Sequence, residues 1–302
     1  MTIDTLAQEI GRIAQNDGDY QTAIPQLLMA RRSGRTEPLA CIYALGLAVV
    51  AQGGKQVTQA DQVLTYGPGE SLLATVDLPV VSQVIQADMA RPFLGMLLTL
   101  DARALVQLAA DMELPPLPRE QVARGMSLGP LEEPLLDAVI RLVRLLQEPQ
   151  HIARLAPLIQ QEIMVRLLTG PHGPYLRQLI AAGTPSHQVA QAIAWLKTHF
   201  SHDVLMDELA ERAHMSPSTF RAHFRHLTGM SPLQYQKQLR LQEARQLMLT
   251  QALDASSTAA RVGYESVSQF NREYSRHFGA PPQRDIKRMR ELPGGGVLQA
   301  LG

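Results

Sequence analysis

The chain has 302 residues, of which 45% are hydrophobic and 19% charged, the makeup of a folded protein rather than a disordered one. Its 28 Lys and Arg balance 28 Asp and Glu, which excludes a uniformly basic polyanion binder. A single cysteine, Cys41, excludes an intrachain disulfide and a Cys-rich zinc site. The lack of histidine in residues 1–150 excludes a His-rich metal site or a His-dependent catalytic triad there.

The zero net charge hides an asymmetry. Residues 1–186 hold 14 basic and 18 acidic side chains, whereas residues 187–290 hold 14 and 9. The last third is therefore where a polyanion partner is to be sought. Residues 1–20 carry Asp4, Glu9, Asp17 and Asp19 and do not read as a signal peptide. The longest apolar stretch, residues 41–51, is broken by Gly46 and falls short of the roughly 20 residues of a membrane helix. The expectation is a cytoplasmic protein with no membrane partner.

Residues 20–112 read as strands and turns. Residues 41–50 suit one buried strand, Gln52-Gly53-Gly54-Lys55 a hairpin-type turn, and residues 65–70 a second turn. Residues 72–76 and 80–86 continue the pattern, whose spacing suggests a β-sandwich or barrel. A Pro- and Gly-rich connector follows at 113–130. Residues 131–146 put Leu135, Leu136, Val139, Leu142 and Val143 on one helical face, which packs on its own domain or seams a dimer. Residues 152–168 form a second helix and 175–182 a short third. The Gly and Pro residues of 170–185 mark a domain boundary. The division is an N-terminal domain 1–185, an all-helical domain 186–290 and a flexible tail 291–302.

The helical domain repeats itself at an offset of 50. Ser216, Phe220, Phe224, Gly229 and Pro232 correspond to Ser266, Phe270, Tyr274, Gly279 and Pro282. The serines suit helix N-caps, and the glycines suit left-handed helix ends. The aromatic pairs, four residues apart, set one face of each helix toward a core. A short helix precedes each repeat, giving the helix, tight turn, capped helix plan twice. A long helix from Pro232 to Leu249 joins the two. Opposite the aromatic face lie Ser218, Arg221, Ala222 and Arg225 in the first unit and Ser268, Gln269, Asn271, Arg272 and Arg276 in the second. Arg, Asn and Gln can pair with guanine or adenine edges in the major groove.

The ordered motifs His214-Met215-Ser216-Pro217-Ser218-Thr219-Phe220-Arg221, Thr228-Gly229-Met230-Ser231-Pro232, Arg240-Leu241-Gln242-Glu243-Ala244-Arg245, Val262-Gly263-Tyr264-Glu265-Ser266 and Phe278-Gly279-Ala280-Pro281-Pro282 resemble the AraC/XylS family of bacterial transcription regulators. Residues 20–185 resemble the family's AraC-type N-terminal effector domain through Tyr66-Gly67-Pro68-Gly69-Glu70 and residues 162–170. The resemblance implies an α+β chain: an N-terminal cupin-like β-barrel with helices, then two helix-turn-helix subdomains joined by a linker helix. It implies base contacts through Ser218, Arg221, Ala222, Ser268, Gln269, Asn271 and Arg272, with Arg225 on phosphate. Ala222 departs from the arginine often found at its position and offers only apolar contact. The implied partners are double-stranded DNA, RNA polymerase as for an activator, an unidentified small effector, and a second copy in a homodimer. No cofactor, metal or catalytic residue is implied. Two other readings are a barrel that only dimerises and a cupin-type enzyme fused to a DNA-binding module. A metal site of Glu70 and Asp77 is conceivable, and Cys41 is read as a small buried residue or a reactive thiol.

Overall fold

The structure is a computed structural model and describes residues 1–117 and 124–291. Most of the flexible tail expected at 291–302, and part of the connector expected at 113–130, lie outside the described residues.

Among the described residues ten strands form two antiparallel sheets. The strands are β1 (Gly18–Gln21), β2 (Leu27–Arg32), β3 (Leu39–Tyr43), β4 (Gly46–Gln52), β5 (Gly54–Gln59), β6 (Gln62–Tyr66), β7 (Glu70–Ala74), β8 (Leu78–Gln86), β9 (Phe93–Thr99) and β10 (Met126–Pro130). One sheet has the order β1-β2-β9-β4-β7-β10 and the other β3-β8-β5-β6. The expected cupin-like domain is thus two facing sheets with side chains between them, rather than a ring closed by continuous strand pairing.

Residues 41–50 are not one strand. The chain breaks at Ala44-Leu45, so β3 pairs with β8 in the small sheet while β4 pairs with β7 and β9 in the large one. An apolar run buried in both sheets carries no signal of the crossing. Gly53 makes the next turn at φ +84, where a Cβ would stand 2.5 Å from the Gln86 carbonyl oxygen. The Pro- and Gly-rich connector ends in a strand, because Met126–Pro130 pairs with β7 along its length.

The described residues of the N-terminal half also form five α-helices: α1 (Ile3–Ile13), α2 (Ala102–Ala110), α3 (Glu133–Arg144), α4 (Pro149–Thr169) and α5 (Gly173–Ile180). Helix α2 lies in a stretch expected to be strand. Asp101 caps it by accepting from the Arg103 and Ala104 N–H groups. The apolar face of α3 (Leu135, Leu136, Val139, Leu142 and Val143) is buried against α1 and α4. That face is filled within one chain, which corrects the alternative of a dimer seam along it.

The regular elements among the described residues of the C-terminal half are all helices: α6 (Pro185–His199), α7 (Met206–Arg212), α8 (Pro217–Thr228), α9 (Pro232–Thr250), α10 (Ala255–Arg261), α11 (Val267–Phe278) and α12 (Pro282–Glu291). The two repeats do not have equal surroundings. The core of α6, α7 and α8 is continuous with that of the sheets, reaching from Leu6 to Leu239. The second unit keeps a separate core of Leu241, Ala244, Leu247, Ala259, Val262, Tyr264, Phe270, Tyr274 and Phe278. Among the described residues no helix is long and apolar enough to cross a membrane.

Candidate nucleic-acid interface

The two capped helices follow from local chemistry. Ser216 accepts from the Thr219 N–H and Ser266 from the Gln269 N–H, so each fills a donor that the helix start leaves free. Each helix ends in a left-handed glycine, Gly229 at φ +74 and Gly279 at φ +75. Phe220 and Phe224 lie 5.5 Å apart, and Phe224 meets Tyr235 of α9 edge-on at 5.4 Å. In the second unit Tyr264, Phe270, Tyr274 and Phe278 form a continuous aromatic row.

Anchoring those aromatic faces turns the opposite faces outward. Ser218, Arg221, Ala222 and Arg225 are exposed on α8, as are Ser268, Gln269, Arg272 and Arg276 on α11. Asn271 differs, being half-buried with its Oδ1 shielded from solvent and without a hydrogen-bond partner among the described residues. Gln269 is tethered, since its Nε2 donates to Glu273 at 3.2 Å. Burial opposes the Glu273 charge, but hydrogen bonds from Gln269, Tyr264 and Lys237 outweigh it and hold the carboxyl below its usual range. Arg272 Nε donates to the Ser268 carbonyl at 3.3 Å, lying back along its own helix. Arg221 and Arg225 have no protein partner among the described residues.

Helix α9 sets the relation of the two units. Its Arg240 guanidinium donates to the carbonyls of Phe200 at 2.7 Å, Gly263 at 2.9 Å and His202 at 3.0 Å. It thereby ties the chain after α6 to the turn of the second unit. A Cβ at Gly263, where φ is +85, would stand 2.0 Å from the Ser201 carbonyl oxygen, so this approach requires glycine. Neither tie was visible in the sequence, because the partners are backbone carbonyls that any residue supplies.

The N-terminal half touches both units. Gln59 Nε2 donates to the Leu227 carbonyl at 3.4 Å, beside the end of α8. The Tyr235 hydroxyl donates to the Asp77 carbonyl at 2.7 Å, and the Asp77 carboxylate pairs with Lys197 at 2.7 Å. Glu70 accepts from the Gly67 N–H of its own turn. The two acids weighed as a metal pair are therefore each engaged elsewhere. At the second unit, Arg245 of α9 forms a bidentate pair with Asp285 at 2.7 and 2.8 Å, and also donates to the Ala40 carbonyl of β3 at 3.2 Å. Cys41, next in β3, is buried, and burial pushes its thiol up to about 11, as suits a small core residue rather than a reactive thiolate.

Trp195 is half-buried. It stacks on His199 with centroids 4.3 Å apart, and the Arg212 guanidinium carbon lies 4.4 Å from its ring centroid.

Two family descriptions match this chain. Residues 23–175 match the AraC-type transcriptional regulator N-terminus, and residues 209–288 match a helix-turn-helix domain. The chain belongs to the AraC/XylS family of transcription regulators. Among curated relatives of this AraC-type chain, the HTH-type transcriptional regulator ExsA of Pseudomonas aeruginosa is 26% identical over 151 residues, covering 50% of this chain and 54% of ExsA. The HTH-type transcriptional activator RhaS of Escherichia coli is 26% identical over 176 residues, covering 58% and 62%. The chain thus spans about half to three-fifths of the length of these relatives. In fold it is similar to wild-type ToxT of Vibrio cholerae, solved with unsaturated fatty acid bound. The TM-score is 0.60 at 9% identity, covering 89% of this chain and 96% of that one.

Proposed function

We propose that this chain is a sequence-specific, double-stranded-DNA-binding transcription regulator, an activator, whose N-terminal domain (1–185) answers to a small effector and whose domain 186–290 reads DNA. The observation that carries the reading is the matched pair of capped helices, α8 and α11, each holding arginines outward on the face opposite its aromatic anchor. Base edges would be read by Ser218, Arg221, Ala222, Ser268, Gln269 and Arg272, with Arg225 on phosphate. Asn271 would join them only after its side chain rotates out of its half-buried position. RNA polymerase as an activator's partner, a homodimer and a cytoplasmic setting complete the proposal, in which the chain is a regulator and not an enzyme.

The effector would act by shifting the balance between arrangements of the two halves. Strand β3 offers the route, since Tyr43 faces the space between the sheets while Ala40 meets Arg245 beside α11. Gel-shift titration on the chain's own upstream DNA tests the reading. Arg221→Ala and Arg272→Ala are each expected to weaken specific binding by about 1–3 kcal/mol, or roughly five- to 150-fold, at constant salt. Unchanged affinity in both variants would overturn the assignment of the two helices.

A further inference from the structure

Outside the sheets, between α2 and α4, lies a groove of about 440 Å³. Helix α2 and its C-terminal end face it with Gln107, Leu108 and Asp111, and α4 with Pro157, Gln161 and Met164, each set at helical spacing. The end of β9, at Leu98 and Thr99, also lines it. The two helical stripes do not close on each other, because amides and a carboxylate pressed together would lose water without gaining partners. Helix α2 also packs on α5, and α5 on α6, so the groove adjoins the stack of helices that joins the two halves.

Its polar groups are mostly acceptors. Asp101 and Asp111 line it from the two ends of α2, about 15 Å apart along the axis for the helical rise between them. Asp101 Oδ1 accepts from the Arg103 and Ala104 N–H groups at 2.8 and 3.3 Å, which leaves Oδ2 available. The exposed Asp111 carboxylate has no partner among the described residues. Thr99 Oγ1 is shielded from solvent and has no hydrogen-bond partner among them. Pro157 stands inside α4 and supplies no N–H, so the Ala153 carbonyl lacks its helical donor. Among the described residues no lysine or arginine lines the groove.

We propose that this groove binds a linear polyamine, a flexible aliphatic chain with an ammonium group at each end and another within. The terminal ammonium groups pair with Asp101 and Asp111 through charge-assisted hydrogen bonds. The inner one lies among the Gln107 and Gln161 amides, and the methylenes lie on Leu108 and Met164. A triamine of the length of spermidine nearly spans the distance between the carboxylates, and the two ion pairs cover the rest. The same distance excludes a shared metal ion, whose oxygen ligands stand only about 2.3–2.6 Å from it even for calcium. A neutral polyol would leave both carboxylates without a counter-charge, and an anion would be repelled by them. The site goes beyond the regulator reading above and does not depend on it.

The test titrates the full chain with spermidine by calorimetry at constant ionic strength, with butylamine, magnesium ion and sorbitol as controls. Spermidine is expected to bind below millimolar concentration, at least about tenfold more tightly than butylamine or magnesium ion, with sorbitol inert. Asp101→Asn and Asp111→Asn are each expected to weaken spermidine at least about fivefold, and the double variant further. Asparagine caps a helix as well as aspartate does, so α2 keeps its start in Asp101→Asn. Glu265→Gln, which removes an exposed acid of the C-terminal half, is expected to leave the affinity unchanged. Equal affinity of the unaltered protein for spermidine and magnesium ion would overturn the proposal without any variant, since that is general attraction to charge. So would parent affinity in a cooperatively melting double variant, an equal loss in Glu265→Gln, or no spermidine binding at millimolar concentration.

Discussion

Asp285→Ala is expected to destabilise the second helix-turn-helix unit by about 3–5 kcal/mol. Arg245 is 1% exposed and Asp285 is fully buried, so the substitution leaves a guanidinium charge without its counter-ion in the interior. The carboxylate also accepts from the Tyr274 hydroxyl at 2.9 Å and from Arg288 at 3.2 Å, and both bonds go with it. The Arg245 guanidinium carbon stands 3.9 Å from the Phe278 ring centroid, so a displaced arginine also disturbs the end of α11. Because this unit has its own core, the loss should appear as an early transition in urea, ahead of the rest of the chain. Arg245→Met combined with Asp285→Ala should recover part of the loss, since an apolar replacement removes the orphaned charge. A single variant within about 1 kcal/mol of the parent, on the scale of ordinary substitutions, would show that the pair is not what holds the unit together.

Stability is expected to fall as the pH drops from about 6.5 toward 4, through buried His172 and half-buried His277. His172 lies between Ser71, 2.9 Å from its Nε2, and Ser127, 3.1 Å from its Nδ1, and so joins β7 and β10 to the start of α5. Burial lowers its pKa from 6.5 to about 4. His277 is lowered to about 4 by burial and then by the Arg245 charge, and its Nε2 is shielded with no protein partner. The unfolded chain protonates both at about 6.5, so it binds more protons than the folded chain between the two values. Their contribution is whole above 6.5 and lost as the pH falls to about 4, where the folded chain too becomes protonated. At about 1.4 kcal/mol per pKa unit, each histidine accounts for roughly 3 kcal/mol. Glu9, Glu162 and Glu273 are held below their usual range and add to the loss only below about 4.5. Urea midpoints measured from pH 7.5 to 4.5 check this, and His172→Asn should flatten the slope. A flat profile from 7 to 5 in the parent protein would mean that these imidazoles titrate normally when folded.

The helix-turn-helix repeat was legible residue by residue. Ser216, Ser266, Gly229 and Gly279 act within one turn of their own positions, so their identity and spacing were enough to assign the caps. The 3.6-residue period of α3 was equally readable, but its partner was not. A helix face says that something must cover it, and the packing of α1 and α4 says what does. The same limit explains the strand at Met126–Pro130 and the helix at Ala102–Ala110. One is made by pairing with a strand over 50 residues away, and the other starts at a cap inside a stretch rich in β-sheet neighbours. The exposed arginines of the candidate interface were predictable from the aromatic spacing. The tether on Gln269 is an i, i+4 pair with Glu273 of the same helix and was equally readable, whereas the shielding of Asn271 was not.

By itself the sequence determined the two repeated units, their caps and outward faces, the basic bias of residues 187–290, and the absence of histidine from residues 1–150. These are properties of composition and of contacts within a few residues, where side-chain chemistry and helical period are decisive. Tertiary structure alone decided the division of residues 41–50 between two sheets and the merging of the first unit's core with the sheets. It also set Arg245 between Asp285 and Ala40. Each of these joins groups far apart in the chain. Their energies come from burial and from backbone carbonyls, and neither has a sequence signature until the chain has folded.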